Sequence, residues 1–176
     1  MYRRREDQAR CLVAGLLLRM ALGSHVAALL QNAQGKPYLP QGPCFNLSHS
    51  GAYVILGVSA HETGVDIERI GPFEDKVARR CYTEAELAWL YAQRDASAFY
   101  RLWTAKESIM KASGLGFAMP PESFSVLPVE EGWHMVAGRP WFLRWHTLAG
   151  HALCSACASD AEVRLVRVSR AELMAD

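Results

Sequence analysis

The sequence has almost no net charge: its 19 Lys and Arg residues against 18 Asp and Glu residues give a formal charge of +1 at pH 7. Proteins that bind nucleic acid or acidic membranes in a general way do so through a large basic surface. The balance of charges therefore argues against both classes, and we expect neither a nucleic-acid nor a membrane partner. A net charge near zero is still compatible with local anion-binding sites.

The sequence also lacks the features of an exported or membrane-spanning protein. It shows no signal peptide, and no apolar run approaches the roughly 18 to 20 residues of a membrane span. It contains five cysteines, an odd number, scattered along the sequence. We therefore interpret them as reduced thiols of a cytoplasmic protein. Cys154 and Cys157 form one C-x-x-C without a second Cys or His pair at zinc spacing, which favours buried structural thiols over a zinc site.

A glycine-rich phosphate loop of the P-loop type is missing as well, which argues against an ordinary P-loop nucleotide enzyme. What is present is a soluble, globular composition with 51% hydrophobic and 21% charged residues, enough for one core or two small fused lobes. Helices and strands occur in runs, which indicates the α+β class. Gly71-Pro72 is the predicted boundary between an N-terminal lobe, residues 1–70, and a C-terminal lobe, residues 71–176.

Periodicity and turn residues predict the individual elements. A first helix follows Arg3 to Arg5 and ends near Gly23, and a final short helix follows Arg170. Further helices are predicted over 75–80, from a capping box at Thr83 onwards, and over 99–113 with an end at Gly114. Strands are predicted over 45–50, 53–59, 64–68, 123–127, 133–136, 141–146, 151–158 and 163–168, the first two as a hairpin.

The helix over 99–113 carries an unusual set of charges. Lys106 falls within its apolar stripe, where an ammonium group needs an anionic partner. Glu107 and Lys111 lie on the flank of that stripe, one turn apart and facing the same way. From this helix alone, a surface ion pair and a functional pair are equally well supported.

The strand over 64–68 carries two more carboxylates. Its two-residue period places Asp66 and Glu68 on one face, with Ile67 pointing into the core. A cation between the two carboxylates would explain both, and a merely polar strand face is the alternative. With Glu107 they form an oxygen-only donor set, which suits Mg²⁺ sharing its remaining positions with phosphate.

Three stretches, Phe45 to Ser50, Gly64 to Glu68 and Phe99 to Lys111, resemble in order and spacing the three signature motifs of the 4′-phosphopantetheinyl transferases. The match is nearest to the surfactin-synthetase-activating, or Sfp-type, branch. Gly35 to Tyr38 and Ser123 to Val126 extend it, so that it covers roughly residues 5 to 130. Each motif alone is weak, but all of them in sequence are highly specific.

This resemblance implies a monomer of two pseudo-symmetric α+β lobes with coenzyme A in the cleft between them. It implies transfer of the 4′-phosphopantetheine arm from coenzyme A to a serine of an acyl or peptidyl carrier protein, with release of 3′,5′-ADP. Apolar and basic residues around Phe73 to Leu90 would meet an acidic carrier helix. The carrier, from fatty acid, polyketide, peptide or siderophore biosynthesis, is left open.

The resemblance also implies roles for individual residues at the reacting diphosphate. Asp66, Glu68 and Glu107 would hold Mg²⁺, and Glu107, directly or through a metal-bound water, would take the proton of the carrier serine. Lys106 and Lys111 match lysines that contact the diphosphate, and Lys111 is the better candidate to assist the departing phosphate.

A second group of residues matches positions that bind the nucleotide end of coenzyme A. Ser48 and His49 match contacts to its 3′-phosphate. Gly35, Lys36 and Pro37 match the loop beside its adenine.

Members of this branch usually continue further at the N-terminus, with an opening strand and basic residues for the 3′-phosphate. The sequence therefore predicts an N-terminal lobe that lacks its first strand, or one in which Arg3 to Arg5 replace those basic residues. A missing strand would leave a sheet edge or an apolar face uncovered. Three functions remain open: an active Mg²⁺-dependent transferase, a truncated or degenerate relative that binds coenzyme A or carrier without catalysis, and an unrelated metal-dependent phosphohydrolase. The intact ligand positions favour the first.

Overall fold

The computed structural model describes residues 5–174, so Arg3 and Arg4 of the predicted arginine run lie outside the described residues. The described part is α+β, as predicted. Its helices are α1 (Arg5–Leu22), α2 (Asp75–Cys81), α3 (Glu84–Gln93), α4 (Ala96–Ser113) and α5 (Arg170–Leu173). Its strands are β1 (Leu30–Gln31), β2 (Pro37–Tyr38), β3 (Cys44–Ser50), β4 (Tyr53–Ser59), β5 (Thr63–Arg69), β6 (Gly132–Val136), β7 (Arg139–Leu148) and β8 (His151–Cys157).

The strands form one four-stranded sheet and two small hairpins. The four-stranded sheet has the order β5-β8-β7-β6, and all its pairs are antiparallel. β1 pairs with β2 and β3 pairs with β4. α4 lies across β5 and β8, and the main core fills the space between them with completely buried residues such as Leu102, Ile109 and Leu143. A smaller core around Leu22 and Phe45 lies between the N-terminal segment and the β3–β4 hairpin.

Local sequence rules account for the start of α3 and for both ends of α4. Thr83 and Glu86 form the predicted capping box of α3, each side chain accepting a bond from the other residue's backbone N–H. Asp95 caps the start of α4 by accepting from the N–H of Ser97. Gly114 ends α4 with φ of 73°, a left-handed conformation that favours glycine.

Gly64 allows α4 to lie directly on β5. A Cβ atom on Gly64 would come within 2.1 Å of the backbone oxygen of Ser108 and 2.4 Å of the backbone nitrogen of Ala112. Both neighbours are backbone atoms, which cannot turn aside as a flexible side chain does. Because of this contact, the charged flank of α4 reaches the carboxylates of β5.

We expect Gly64→Ala to lower the free energy of unfolding by about 3 kcal/mol, since helix and strand must separate to make room for the methyl group. Urea denaturation followed by circular dichroism measures the loss. Gly15→Ala in α1 is the matched control, because nothing lies within 4 Å of its added Cβ. The control should gain stability slightly through helix propensity. An unfolding midpoint of Gly64→Ala equal to that of the wild type would contradict the close contact.

β3 and β5 are joined by side chains of β3 instead of backbone pairing. From Asn46 onwards, every second residue of β3 accepts a hydrogen bond from the backbone N–H of the residue 19 positions later, in β5. The three bonds run from Val65 N–H to Asn46 Oδ1 at 2.9 Å, from Ile67 N–H to Ser48 Oγ at 3.2 Å, and from Arg69 N–H to Ser50 Oγ at 2.9 Å. We call these contacts the side-chain ladder; it connects the β3–β4 hairpin to the four-stranded sheet.

The predicted lobe boundary at Gly71-Pro72 does not follow the sheet. β5 lies before that boundary, yet it pairs along its whole length with β8, from Thr63 opposite Cys157 to Arg69 opposite His151. The predicted ranges 1–70 and 71–176 would therefore cut the sheet between neighbouring strands. A division before Thr63 keeps the sheet whole.

Two predicted strands are absent from their expected positions. Residues 123–127 run as an irregular segment after a 3₁₀ turn, because buried side chains bind their backbone groups in place of a neighbouring strand: Lys106 binds Phe124 O and Glu86 binds Val126 N–H. Residues 163–168 alternate apolar and charged side chains as a strand does, but they pair with no strand in the described chain and are largely exposed.

α1 and the 3₁₀ turn after it form a longer apolar segment than the predicted absence of such a run allows. Arg5–Ala28 contains an 18-residue window of mean hydropathy 1.6, of which 11% is buried, so by length and composition this helix is capable of crossing a membrane. Core helices and signal sequences satisfy the same criterion. Leu12 and Met20 are 65% and 50% exposed, so α1 presents apolar side chains to solvent.

Candidate functional site

β5 and α4 bring three carboxylates and one lysine together. Asp66 and Glu68 lie two residues apart on β5 and so share one face of the strand, and Ile67 between them is completely buried. Lys111 reaches this face from α4, with its Nζ 2.6 Å from Asp66 Oδ1. Glu107 lies one turn earlier on α4, near enough for its carboxyl group to interact with the charges of Lys111, Asp66 and Glu68. We call Asp66, Glu68, Glu107 and Lys111 the carboxylate cluster.

Asp66 is the most enclosed member of the carboxylate cluster, with 2% of its surface exposed. Its Oδ1 accepts from Lys111 Nζ at 2.6 Å and from Ser48 Oγ at 2.8 Å. Its Oδ2 is buried and has no hydrogen-bond partner among the described residues. An unsatisfied buried carboxylate oxygen is costly, so this atom is suited to a cation or a donor supplied from outside the chain.

The electrostatics of the cluster show an excess of negative charge. Burial raises the pKa of Glu107, and repulsion from Asp66 and Glu68 adds to the rise while Lys111 opposes it. Burial likewise raises the pKa of Glu68, with a further contribution from Asp66. Three carboxylates against one ammonium group would be stabilised in their ionised form by an additional positive charge.

The donor set fits a hard cation such as Mg²⁺, which takes oxygen ligands and keeps several waters or phosphate oxygens. The orphaned Oδ2 of Asp66 and the charge excess are the observations that support this fit. Among residues 5–174, no three His, Cys, Asp or Glu side chains come close enough together to form a preformed metal site. The chemistry of the donor atoms thus fits Mg²⁺, but the three carboxylates do not form a preformed cage in residues 5–174.

Lys106 does not belong to the carboxylate cluster, so the predicted contact with a diphosphate does not fit its position. Its side chain is completely buried and its Nζ lies 2.7 Å from a carboxylate oxygen of Glu86. The same Nζ donates to Pro121 O at 2.7 Å and to Phe124 O. The sequence predicts that this ammonium group needs an anionic partner, and that partner is Glu86, which also belongs to the capping box of α3.

Ser48 and His49 lie on opposite faces of β3. Ser48 is 7% exposed, and its hydroxyl is already engaged with Asp66, Lys111 and the N–H of Ile67. His49 is exposed. Ser48 therefore supports the carboxylate cluster, and of the two only His49 is free to meet a 3′-phosphate from solvent; that contact stays a prediction.

The predicted adenine loop is the turn between β1 and β2. Gly35 adopts φ of 84° in this turn. Lys36 Nζ donates to Ala112 O at 3.0 Å, and Asn32 Nδ2 donates to Gly114 O at 2.8 Å. The turn with Gly35, Lys36 and Pro37 is thus fixed to the C-terminal end of α4, and its contact with adenine stays a prediction.

The sequence model of the 4′-phosphopantetheinyl transferase superfamily matches residues 62–165, which contain β5, α4 and the whole carboxylate cluster. The chain belongs to this superfamily. Its curated relatives place it in the Sfp-type branch of the 4′-phosphopantetheinyl transferases.

Three relatives show how far the similarity extends. A 4′-phosphopantetheinyl transferase of Bacillus subtilis is 31% identical over 173 residues, covering 90% of this chain and 77% of the relative. The transferase gsp of Aneurinibacillus migulanus is 35% identical over 128 residues, covering 68% and 54%. The transferase Sfp of Bacillus subtilis strain 168 is 32% identical over 139 residues, covering 73% and 62%. The chain thus spans less than two thirds of the length of the last two.

Proposed function

We propose that this chain transfers the 4′-phosphopantetheine arm of coenzyme A to a serine hydroxyl of an acyl or peptidyl carrier protein, with Mg²⁺ as cofactor. The observation that carries the proposal is the carboxylate cluster. This member of the superfamily carries all three acidic groups and one lysine, and Lys111 forms an ion pair with Asp66. The buried Oδ2 of Asp66 supports the proposal, because it has no hydrogen-bond partner among the described residues and suits a cation from outside the chain.

The reaction is a phosphoryl-type transfer. The serine oxygen forms a bond to the phosphorus that carries pantetheine, the bond from this phosphorus to the bridging oxygen breaks, and 3′,5′-ADP leaves with that oxygen. Asp66, Glu68 and Glu107 would hold Mg²⁺, which supplies positive charge to the diphosphate. The chain itself supplies the groups that move or balance charge.

Glu107 and Lys111 have separate tasks in this proposal. Glu107 accepts the proton of the serine hydroxyl, a task favoured by the raised pKa of its half-buried carboxyl group. Lys111, with 26% of its side chain exposed, places its ammonium group where charge develops on the departing phosphate. One turn of α4 separates the two side chains, so they approach the diphosphate together.

The carrier protein would dock on α2 and α3, next to the start of α4. Phe73, Val77 and Tyr91 are exposed apolar residues there, and Arg79 and Arg80 are exposed cations. An acidic helix with an apolar stripe complements this surface. We propose that the protein acts as a cytoplasmic monomer.

The test is to incubate the full chain with coenzyme A, Mg²⁺ and a panel of apo carrier proteins and to measure the carrier mass. We expect a gain of one phosphopantetheine, its loss on addition of EDTA, and its return with excess Mg²⁺ or Mn²⁺. A folded protein that binds coenzyme A but modifies no carrier would indicate a degenerate relative. Release of phosphate from coenzyme A without a carrier would indicate a phosphohydrolase instead.

A further inference from the structure

Ser50, the last residue of β3, contacts the carboxylate cluster in a way that the motif comparison did not assign. Its Oγ accepts the backbone N–H of Arg69 at 2.9 Å and donates to Glu68 Oε2 at 2.9 Å. Ser48 repeats the arrangement one step earlier, accepting from Ile67 N–H and donating to Asp66 Oδ1. Each serine of the side-chain ladder thus binds one carboxylate and the N–H that follows it.

The arrangement fixes the direction of the hydroxyl proton. A serine hydroxyl has one proton to donate and two lone pairs to accept with. When the N–H of Arg69 occupies an acceptor position, the hydroxyl is fixed beside β5, and its single proton is available for Glu68. A hydrogen bond to an ionised carboxylate is also stronger than one between neutral groups, so the direction is well defined.

Glu68 depends on this contact more than Asp66 depends on Ser48. Asp66 is nearly buried and is also held by Lys111. Glu68 is half-buried, has a longer side chain, and receives its one side-chain hydrogen bond within residues 5–174 from Ser50. Without Ser50, the carboxylate of Glu68 would be free to rotate toward solvent.

We propose that Ser50 is a positioning residue, which holds Glu68 in the direction of Asp66 and Glu107 so that the three oxygen ligands share one cation. The hydroxyl binds Glu68 Oε2 and leaves Oε1 available for the metal. This inference rests on the proposed function, because it assigns a purpose to Glu68 that only the metal site provides. It makes no use of Ser50 as a contact to coenzyme A.

The test measures Mn²⁺ binding by the full chain in the presence of coenzyme A. The electron paramagnetic resonance signal of free Mn²⁺ reports how much of the ion remains unbound. We expect Ser50→Ala to weaken Mn²⁺ binding about 10-fold, the size of effect typical for a group that orients a metal ligand. In the transfer assay, kcat should fall at fixed Mg²⁺ while KM for coenzyme A changes little. Ser50→Thr keeps the hydroxyl and should restore both quantities.

Ser59→Ala is the matched control. Ser59 ends β4 of the same hairpin and contacts Cys157 Sγ at 3.5 Å, so its loss also removes a side-chain link between the hairpin and the sheet. We expect this variant to bind Mn²⁺ like the wild type. Thermal unfolding of all variants separates an effect on the metal from an effect on the fold.

The outcomes separate this inference from the function on which it rests. The positioning role would be overturned if Ser50→Ala bound Mn²⁺ as tightly as the wild type, or if Ser59→Ala weakened Mn²⁺ binding to the same extent. In either case, carrier modification by the wild type would still support the proposed function. A wild-type chain that binds no Mn²⁺ and modifies no carrier would overturn both. Weaker binding in Ser50→Ala that Ser50→Thr corrects would support the inference.

Discussion

Glu107→Gln is expected to lower kcat for carrier modification by about 10³-fold, within the range that a positioned general base contributes. The amide has the size of the carboxyl group but neither accepts the serine proton nor offers a charged ligand. Burial raises the pKa of Glu107, which favours proton acceptance by its carboxylate. The variant should fold normally, because removal of one of three mutually repelling carboxylates relieves the cluster.

Single-turnover transfer to an apo carrier, monitored by mass, measures this effect on the chemical step. Glu130→Gln is the matched control, since Glu130 is an exposed glutamate before β6 and its change alters the net charge equally. Urea denaturation shows whether Glu107→Gln is folded. Turnover within a few-fold of the wild type would rule out Glu107 as the base and as a necessary ligand.

Lys106→Met is expected to lower the free energy of unfolding by about 3 kcal/mol, because it leaves the completely buried carboxylate of Glu86 without its cation. The change also removes the donor to Pro121 O and Phe124 O, which hold residues 121–126 against α4. Methionine fits the volume of the lysine stem, so the loss reports the missing charge and hydrogen bonds and not a cavity.

Lys111→Met is the natural comparison, because it changes the same residue type on the same helix. Its side chain is partly exposed and belongs to the carboxylate cluster, so we expect a smaller loss of stability and a much larger loss of transfer activity. Guanidinium denaturation and the carrier assay on both variants give the two comparisons. Addition of Glu86→Gln to Lys106→Met should recover part of the lost stability, since no unpaired charge then remains buried.

Equal losses of activity in the two lysine variants, with Lys106→Met as stable as the wild type, would contradict this division. Lys106 would then have to reach the substrate. The structure instead pairs Lys106 with Glu86 in the core and Lys111 with Asp66 at the carboxylate cluster.

Much of the site could be predicted because it depends on short-range rules. A two-residue period is enough to place Asp66 and Glu68 on one face of β5, and helical spacing is enough to align Glu107 with Lys111. The capping box at Thr83 and the left-handed end at Gly114 are equally local. These features are determined within a few residues of one another, so the sequence alone contains them.

The features that could not be predicted depend on contacts between distant segments. Periodicity shows that Lys106 is buried but not that Glu86 faces it, nor that the pair occupies the backbone groups of residues 124 and 126. The same limit applies to β5, whose partner β8 follows some 90 residues later. Ser50 was missed although a signal existed, since Asn46, Ser48 and Ser50 alternate as polar residues on one face of a strand.

The side-chain ladder also sets the alignment of the β3–β4 hairpin by residue identity. Backbone pairing is the same at every position, so strands joined by it are able to slip. A shift of β3 by one residue would turn Leu47 and His49 toward β5, and Leu47 has no side-chain oxygen to accept an N–H. A shift by two residues would place a serine beside the wrong carboxylate or leave one carboxylate without a serine. The positions of Asn46, Ser48 and Ser50 therefore determine a single register of β3 against β5. In that register each serine binds one carboxylate of the carboxylate cluster.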